Sequence, residues 1–325
     1  MSKSKSKPIE KRSFWEVIGL IGKVLGSIVS LGISLLILLF IFNSLRSMPS
    51  YQLGNGNVAI VPLTGVITIG SSSSVFEASV VDSTKFSKLL KDISEENSIK
   101  AVVLEINSPG GSPVASDEIG EAVKKLRLNK TVVSVIREVG ASGAYWIASG
   151  TEKIFANRMA ITGSIGVIGS HLEFAGLLKD YNVTYRRLVS GKYKDLGTPY
   201  KEMSLEEQEI YQKVLDGIHT EFIDEVSRNR NLSEEKVRSL ATGMFYLGSE
   251  AKELGLVDEI GNKEDAIKYI EAKLNITAES TEVKMKRGFF ESFADSLSAP
   301  SFNVGRGIGS SIVESGQGKV MQVWT

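Results

Sequence analysis

Hydrophobic and polar positions divide the chain into an apolar run, a short polar stretch, a long alternating region and a polar tail. From Val24 to Asn43 no charged residue occurs, and Leu35 to Phe42 is almost wholly aliphatic or aromatic. These twenty uncharged residues, rising ~1.5 Å each, reach ~30 Å, the thickness of a bilayer's hydrocarbon. Residues 24–43 therefore predict a transmembrane anchor, and 44–57, polar with Gly, Ser and Pro, a linker.

Residues 58–275 alternate between β-branched runs and amphipathic segments. Val58–Leu63 and Val66–Ile69 predict strands, and Ser83–Glu95 a helix with Phe86, Leu89, Leu90 and Ile93 on one face. Ile99–Ile106 predicts a buried strand, Pro113–Leu128 a helix with Pro113 in its first turn, Thr131–Ile136 a strand and Ser142–Ser149 a helix. Extended pieces follow at Lys153–Ala156 and Ala160–Ile168, then a helix at His171–Tyr181 and a strand at Val183–Val189. Ser204-Leu205-Glu206-Glu207 reads as a capping box opening a helix to about Arg228, with Tyr211, Leu215, Ile218, Phe222 and Val226 as its buried stripe. A helix near 233–241, a strand Met244–Leu247, a helix Ser249–Leu254, a strand near Val257–Ile260 and a helix Lys263–Leu274 complete the region. Strands alternating with helices imply an α/β domain of repeated β-α-β units on a parallel sheet. Residues 276–325 are polar and rich in Gly and Ser, and read as a largely flexible tail, with Phe289, Phe290, Phe293 and Leu297 able to touch a groove or a neighbour.

Charge adds an orientation. Lys3, Lys5, Lys7, Lys11 and Arg12 precede the apolar run. Basic flanks stay in the cytoplasm, so residues 1–23 are expected inside and the domain outside a cell membrane crossed once. The run is too long for an ordinary cleaved signal peptide, and no A-x-A site follows it. Lys+Arg and Asp+Glu balance at 38 each, which argues against a nucleic-acid partner. With no cysteine and two histidines, neither a metal site nor a cofactor is expected.

The candidate chemistry centres on Gly140-Ala141-Ser142-Gly143-Ala144-Tyr145-Trp146. A serine among small residues at a strand-to-helix turn exposes a nucleophilic hydroxyl, and amides at the helix start lack intrahelical partners. Asn107-Ser108-Pro109-Gly110-Gly111 ends the preceding strand. Adjacent parallel strands would bring the two loops together, so the amides of Gly111 and Gly143 are expected to form an oxyanion hole. Neither histidine is well placed as the base: His171 lies near a helix start and His219 within the long amphipathic helix. A lysine is the alternative, provided burial lowers its pKa from ~10.4 toward neutrality. The loop Ser190-Gly191-Lys192-Tyr193-Lys194-Asp195 offers two.

In order and spacing these pieces, with Thr162-Gly163-Ser164-Ile165-Gly166 and Gly255-Leu256-Val257-Asp258, resemble the signal peptide peptidase (SppA) family. The resemblance covers about residues 58–262. It implies a ClpP/crotonase-like fold, a serine peptidase with Ser142 as nucleophile and Lys194 as general base, and Ser164 as a hydrogen-bonding partner of the lysine amine. It further implies a ring- or dome-shaped homo-oligomer in which neighbouring subunits can share the dyad, acting on remnant signal peptides or other unfolded hydrophobic peptides. Ala144 departs from the family, where many members carry glycine. One rival is an α/β-hydrolase-type esterase, which needs a catalytic histidine. Others are the stomatin-associated membrane protease and a non-catalytic membrane scaffold of crotonase-like fold.

Overall fold

In the computed structural model, residues 14–46, 51–52, 54–70 and 80–285 are described. Contacts divide the chain into residues 1–52 with 285–325 and residues 53–284. The first unit contains α1 (Phe14–Arg46) and the short strand β1 (Tyr51–Gln52). Gly22–Phe42 within α1 is unburied, and is long and apolar enough to cross a membrane as an anchor or a signal sequence does. Phe289, Phe290, Phe293 and Leu297 lie outside the described residues.

The second unit is built on a sheet whose strands β-branched residues favour. In chain order its elements are β2 (Val58–Thr64), β3 (Val66–Thr68), β4 (Val80–Asp82), α2 (Ser83–Glu95), β5 (Ala101–Ser108), α3 (Pro113–Arg127), β6 (Thr131–Ala141), α4 (Gly143–Ser149), β7 (Lys153–Ala156) and β8 (Ile161–Gly163). After these come α5 (Ala175–Asp180), α6 (Leu205–Arg230), α7 (Glu234–Leu240), β9 (Phe245–Leu247), α8 (Gly248–Leu254), β10 (Glu259–Ile260), α9 (Lys263–Leu274) and β11 (Ser280–Glu282). The sheet runs β10-β7-β6-β5-β2-β11, every pair parallel. β8 pairs with the far end of β6, and β9 lies antiparallel on β8.

Side chains alternate across the sheet. Val58, Ile60, Val103, Val133, Val135 and Phe155 face Ala266 and Ile270 of α9 in one core layer. The alternate positions Val102, Leu104 and Val132 are fully buried too, and α4 packs against β5 and β6. Pro113 starts α3 and Ser204 with Glu207 closes a capping box, as read; Asp82 and Ser112 in addition cap α2 and α3.

Three segments differ from their sequence expectation. Residues 183–189 form no strand; their apolar Val183, Tyr185, Leu188 and Val189 are exposed and find no ladder partner among the described residues. The helix expected over His171–Tyr181 is confined to α5. The extended stretch Ala160–Ile168 shortens to β8, because Gly163 at φ 77° and Ser164 at φ 49° turn the chain away. The sheet also continues past residue 275: β11 pairs with β2, with Ser280 beside Val58.

Candidate active site

Two neighbouring strand ends meet at the carboxyl edge of the sheet, where α/β folds bind ligands. Ser108 at the end of β5 pairs with Gly140 near the end of β6, across a register shift. Beyond that point β6 turns sharply into α4. The turning residue is Ser142, at φ 54° and ψ −127°, a backbone conformation that costs a side-chain-bearing residue ~1–3 kcal/mol. The surroundings hold it there. Ser142 N–H donates to the Gly163 carbonyl at 2.9 Å, and the Ser142 carbonyl accepts from Trp146 N–H at 3.0 Å. All seven residues of α4 are buried. Ser142 sits at the N-cap without capping through its side chain, so its hydroxyl is left for chemistry. Ala144 lies inside α4 and not at positive φ, so the departure from glycine there is sterically neutral.

The glycine loop supplies the second wall. Ile67 N–H donates to the Gly110 carbonyl at 2.9 Å, and Ser112 N–H to the Ile67 carbonyl at 2.8 Å. That bridge uses the groups on either side of Gly111 and leaves its own N–H facing away from Ile67. Gly143, first residue of α4, has no intrahelical acceptor for its N–H. A Cβ placed on Gly110 would stand 2.7 Å from Gly143 N and 2.9 Å from Ser142 Cβ; one on Gly143 would stand 3.4 Å from Gly111 N and overlap Ser116 Oγ. Gly111, Ser142 and Gly143 therefore sit together and line one cleft, and glycine is the residue that permits the close approach.

A cleft of about 100 Å³ adjoins them, lined chiefly by Pro113, Trp146, Ile168, Ile218 and Phe222. Trp146 and Phe222 pack with ring centroids 5.0 Å apart. Ser116, buried and hydrogen-bonded to the Ser112 carbonyl at 2.9 Å, also lines it. Sequence reading missed Pro113, Ser116 and Trp146 as lining residues. The only signals were their positions one turn into helices that follow the glycine loop and the serine.

Ser164 follows Gly163, the acceptor of the Ser142 amide, and its hydroxyl donates to the Gly243 carbonyl at 3.4 Å. The lysines lie on an exposed turn over 190–197. Lys192 Nζ is bound to both Glu206 carboxylate oxygens at 2.7 Å. Those hydrogen bonds, reinforced by Tyr193, push its pKa above the ordinary lysine range and favour its charged form. Lys194 is exposed and is not among the side chains lining the cleft. Within one chain the structure thus gathers Ser142, Gly111 and Gly143, places Ser164 next to them, and leaves Lys194 apart. The histidines are engaged elsewhere: His171 stacks on Tyr211 with centroids 6.4 Å apart, and His219 Nε2 is buried with no hydrogen-bond partner among the described residues. No cluster of metal-ligating side chains occurs among the described residues.

Comparison with known proteins follows the same outline. A model described as peptidase family S49 matches residues 124–277. A putative signal peptide peptidase SppA of Enterococcus faecium is 36% identical over 236 residues, 72% of this chain and 68% of that protein. A putative protease of Synechocystis is 36% identical over 228 residues, covering 70% of this chain and 77% of its own length. A putative protease of Methanocaldococcus jannaschii is 36% identical over 203 residues, covering 62% of this chain and 65% of its own length. The chain thus spans a little under two thirds of the archaeal relative.

Proposed function

The chain belongs to peptidase family S49, and from that premise we propose that it is a membrane-bound serine endopeptidase that uses Ser142 and Lys194 to degrade remnant signal peptides and other unfolded hydrophobic peptides. The observation that supports this reading is the placement of Gly111 and Gly143 on one cleft with Ser142, a serine held at positive φ.

Lys194 Nζ, uncharged, takes the Ser142 Oγ proton as Oγ attacks the scissile carbonyl. Negative charge moves onto the carbonyl oxygen, where the Gly111 and Gly143 N–H groups stabilise it. Collapse expels the amine, which takes the proton from Lys194, and leaves an acyl-serine. Water, deprotonated by the same lysine, then releases the acyl group. A lysine at its ordinary pKa of ~10.4 is neutral in less than ~0.1% of molecules at pH 7. Turnover therefore rises from neutral toward alkaline pH. Ser164, which follows Gly163 just as Ser142 follows its ladder partner Ala141, is the candidate partner for the lysine amine.

Exposure of Lys194 supports a base delivered from a neighbouring subunit of a homo-oligomer. The chain also leaves apolar groups uncovered: Ile168 and Leu188 are 88% and 94% exposed, and of the α6 stripe Tyr211 is exposed and Leu215 and Ile218 only half-buried within the single chain. The apolar cleft of about 100 Å³ suits a small aliphatic side chain beside the scissile bond. The basic residues before Gly22–Phe42 support an anchored topology with the amino terminus in the cytoplasm and the peptidase domain outside.

The test is covalent labelling with a fluorophosphonate. Wild type is expected to label at Ser142, and Lys194→Ala to label far more slowly. Equal rates would remove Lys194 from the mechanism, and labelling at another residue would remove Ser142.

A further inference from the structure

We propose that Arg187 is a positioning residue for Lys194, its guanidinium strapping the base-bearing turn from both flanks. The inference rests on Lys194 being the base.

By itself the turn is poorly fixed. It lies outside every helix and strand and is bounded by Gly191 at φ 101° and Gly197 at φ 76°. Its own bonds are three short-range ones: Lys194 N–H to the Gly191 carbonyl at 3.2 Å, Leu196 N–H to Tyr193 at 3.1 Å, and Thr198 N–H to Asp195 at 3.0 Å. Exposed turns held this way open at little cost, whereas a general base has to stay within about half an ångström of its working position.

Arg187 supplies what the turn lacks. Its Nε donates to Asp195 Oδ2 at 2.6 Å, and one terminal nitrogen donates both to Asp195 Oδ1 at 2.8 Å and to the Lys192 carbonyl at 2.7 Å. Lys192 and Asp195 enclose Tyr193-Lys194, so one planar group spans the segment that carries the base. The Asp195 side chain is only 9% exposed. Exposed ion pairs as a class contribute little, but a two-pronged fork with a third bond to a carbonyl is the geometry that does fix a position. A second tie runs from Lys192 Nζ and Tyr193 Oη to Glu206, in the first turn of α6. The side chains of Lys192, Tyr193 and Asp195 are all engaged; Lys194 is the residue of the four whose amine is left to act. Nothing in the known chemistry of a Ser–Lys pair requires an arginine eight positions before the aspartate. It is the local backbone that requires it.

Full-length protein in detergent tests this through Arg187→Ala, Arg187→Lys, Lys194→Ala and the double variant Arg187→Ala/Lys194→Ala. Peptide turnover, the fluorophosphonate labelling rate and the oligomer mass are measured for each. Arg187→Ala is expected to lower kcat and the labelling rate by about 10- to 100-fold, the scale of a misplacement of roughly 1 Å, with KM within about twofold and the oligomer intact. Arg187→Lys keeps the charge but not the fork, and is expected to recover only a small part of the loss. The double variant is expected to label no more slowly than Lys194→Ala, because a residue acting through another has nothing left to position. The proposal is overturned by wild-type kcat in Arg187→Ala, by a change in KM alone, by dissociation of the oligomer, or by an equal further loss in the Lys194→Ala background. Lys194→Ala labelling at the wild-type rate would instead overturn the underlying mechanism, so the two failures are told apart.

Discussion

The serine and the lysine occupy regions made in opposite ways. Ser142 sits at the end of a buried parallel sheet, its strained backbone fixed by bonds to Gly163 and Trp146 and by the fully buried α4. Lys194 sits on an exposed turn fixed by side chains, through Arg187–Asp195 and Lys192–Glu206. The first region is complete within one chain. The second presents a free amine outward. The difference teaches that, of the proposed pair, one member is set by core packing while the other is held on a surface turn.

The sharpest way to break this contrast is to remove each half and mix the products. Ser142→Ala and Lys194→Ala are each expected to lower kcat by about 10⁴-fold or more. If the lysine comes from a neighbour, mixed oligomers of the two inactive variants regain part of the turnover. No recovery after subunit exchange, with exchange verified by mass, would make the dyad intrachain.

A smaller effect is expected at the oxyanion hole. Gly143→Ala, whose new methyl would overlap Ser116 Oγ, is expected to lower kcat by about 10²- to 10³-fold. Unchanged turnover would detach that amide from catalysis.

Stability separates the regions as well. Arg230, its side chain 7% exposed, binds Asp258 at 2.7 Å and the Gly255 carbonyl at 3.2 Å. It lies beside Tyr145 of α4, whose hydroxyl donates to the Leu256 carbonyl at 2.8 Å. Arg230→Met leaves Asp258 partly buried and unpaired, and is expected to destabilise by about 3–5 kcal/mol in denaturant unfolding. Glu206→Gln, at the exposed Lys192 pair, is expected to leave the unfolding midpoint close to wild type. Equal costs would erase the distinction drawn here.

Acid probes the buried side more gently. Burial pushes the Glu225 carboxyl up, but hydrogen bonds from Lys124, Arg228 and Asn229 outweigh it and hold the pKa below the ordinary glutamate value. A depressed carboxyl stabilises the fold above its unfolded pKa, about 4.3. That contribution is lost as pH falls through the lower folded value. Thermal midpoints are expected to drop below about pH 4, and to drop less in Glu225→Gln. The smallest effects are expected from His171→Ala and His219→Ala, both within about twofold of wild-type kcat; a large loss at His219 would revive a histidine-dependent hydrolase.

The nucleophile region was readable from the sequence because local rules agree there. β-branched runs became β5 and β6, and their adjacency brought Gly110-Gly111 to Ser142-Gly143 as expected. The sequence did not reveal that Ser142 itself carries the positive φ, with the glycines around it relieving crowding. Around the lysine it misled. The β-branched and aromatic run Val183–Val189 resembles a strand, yet among the described residues no neighbouring backbone completes one. The fork from Arg187 to Asp195 has no periodic signature, since it joins two points on irregular backbone eight residues apart. Periodicity finds elements, but not ties between side chains in loops.

β11 carries a consequence for biosynthesis. Strand β2 is made from residues 58–64 and gains its outer neighbour only when residues 280–282 arrive. A ribosome that has released Ser142, the glycine loop and both lysines has still not delivered the strand that covers that edge. The nascent chain therefore carries every candidate site residue well before its frame is finished, and a stop codon placed just after α9 would leave one flank of its sheet unpaired.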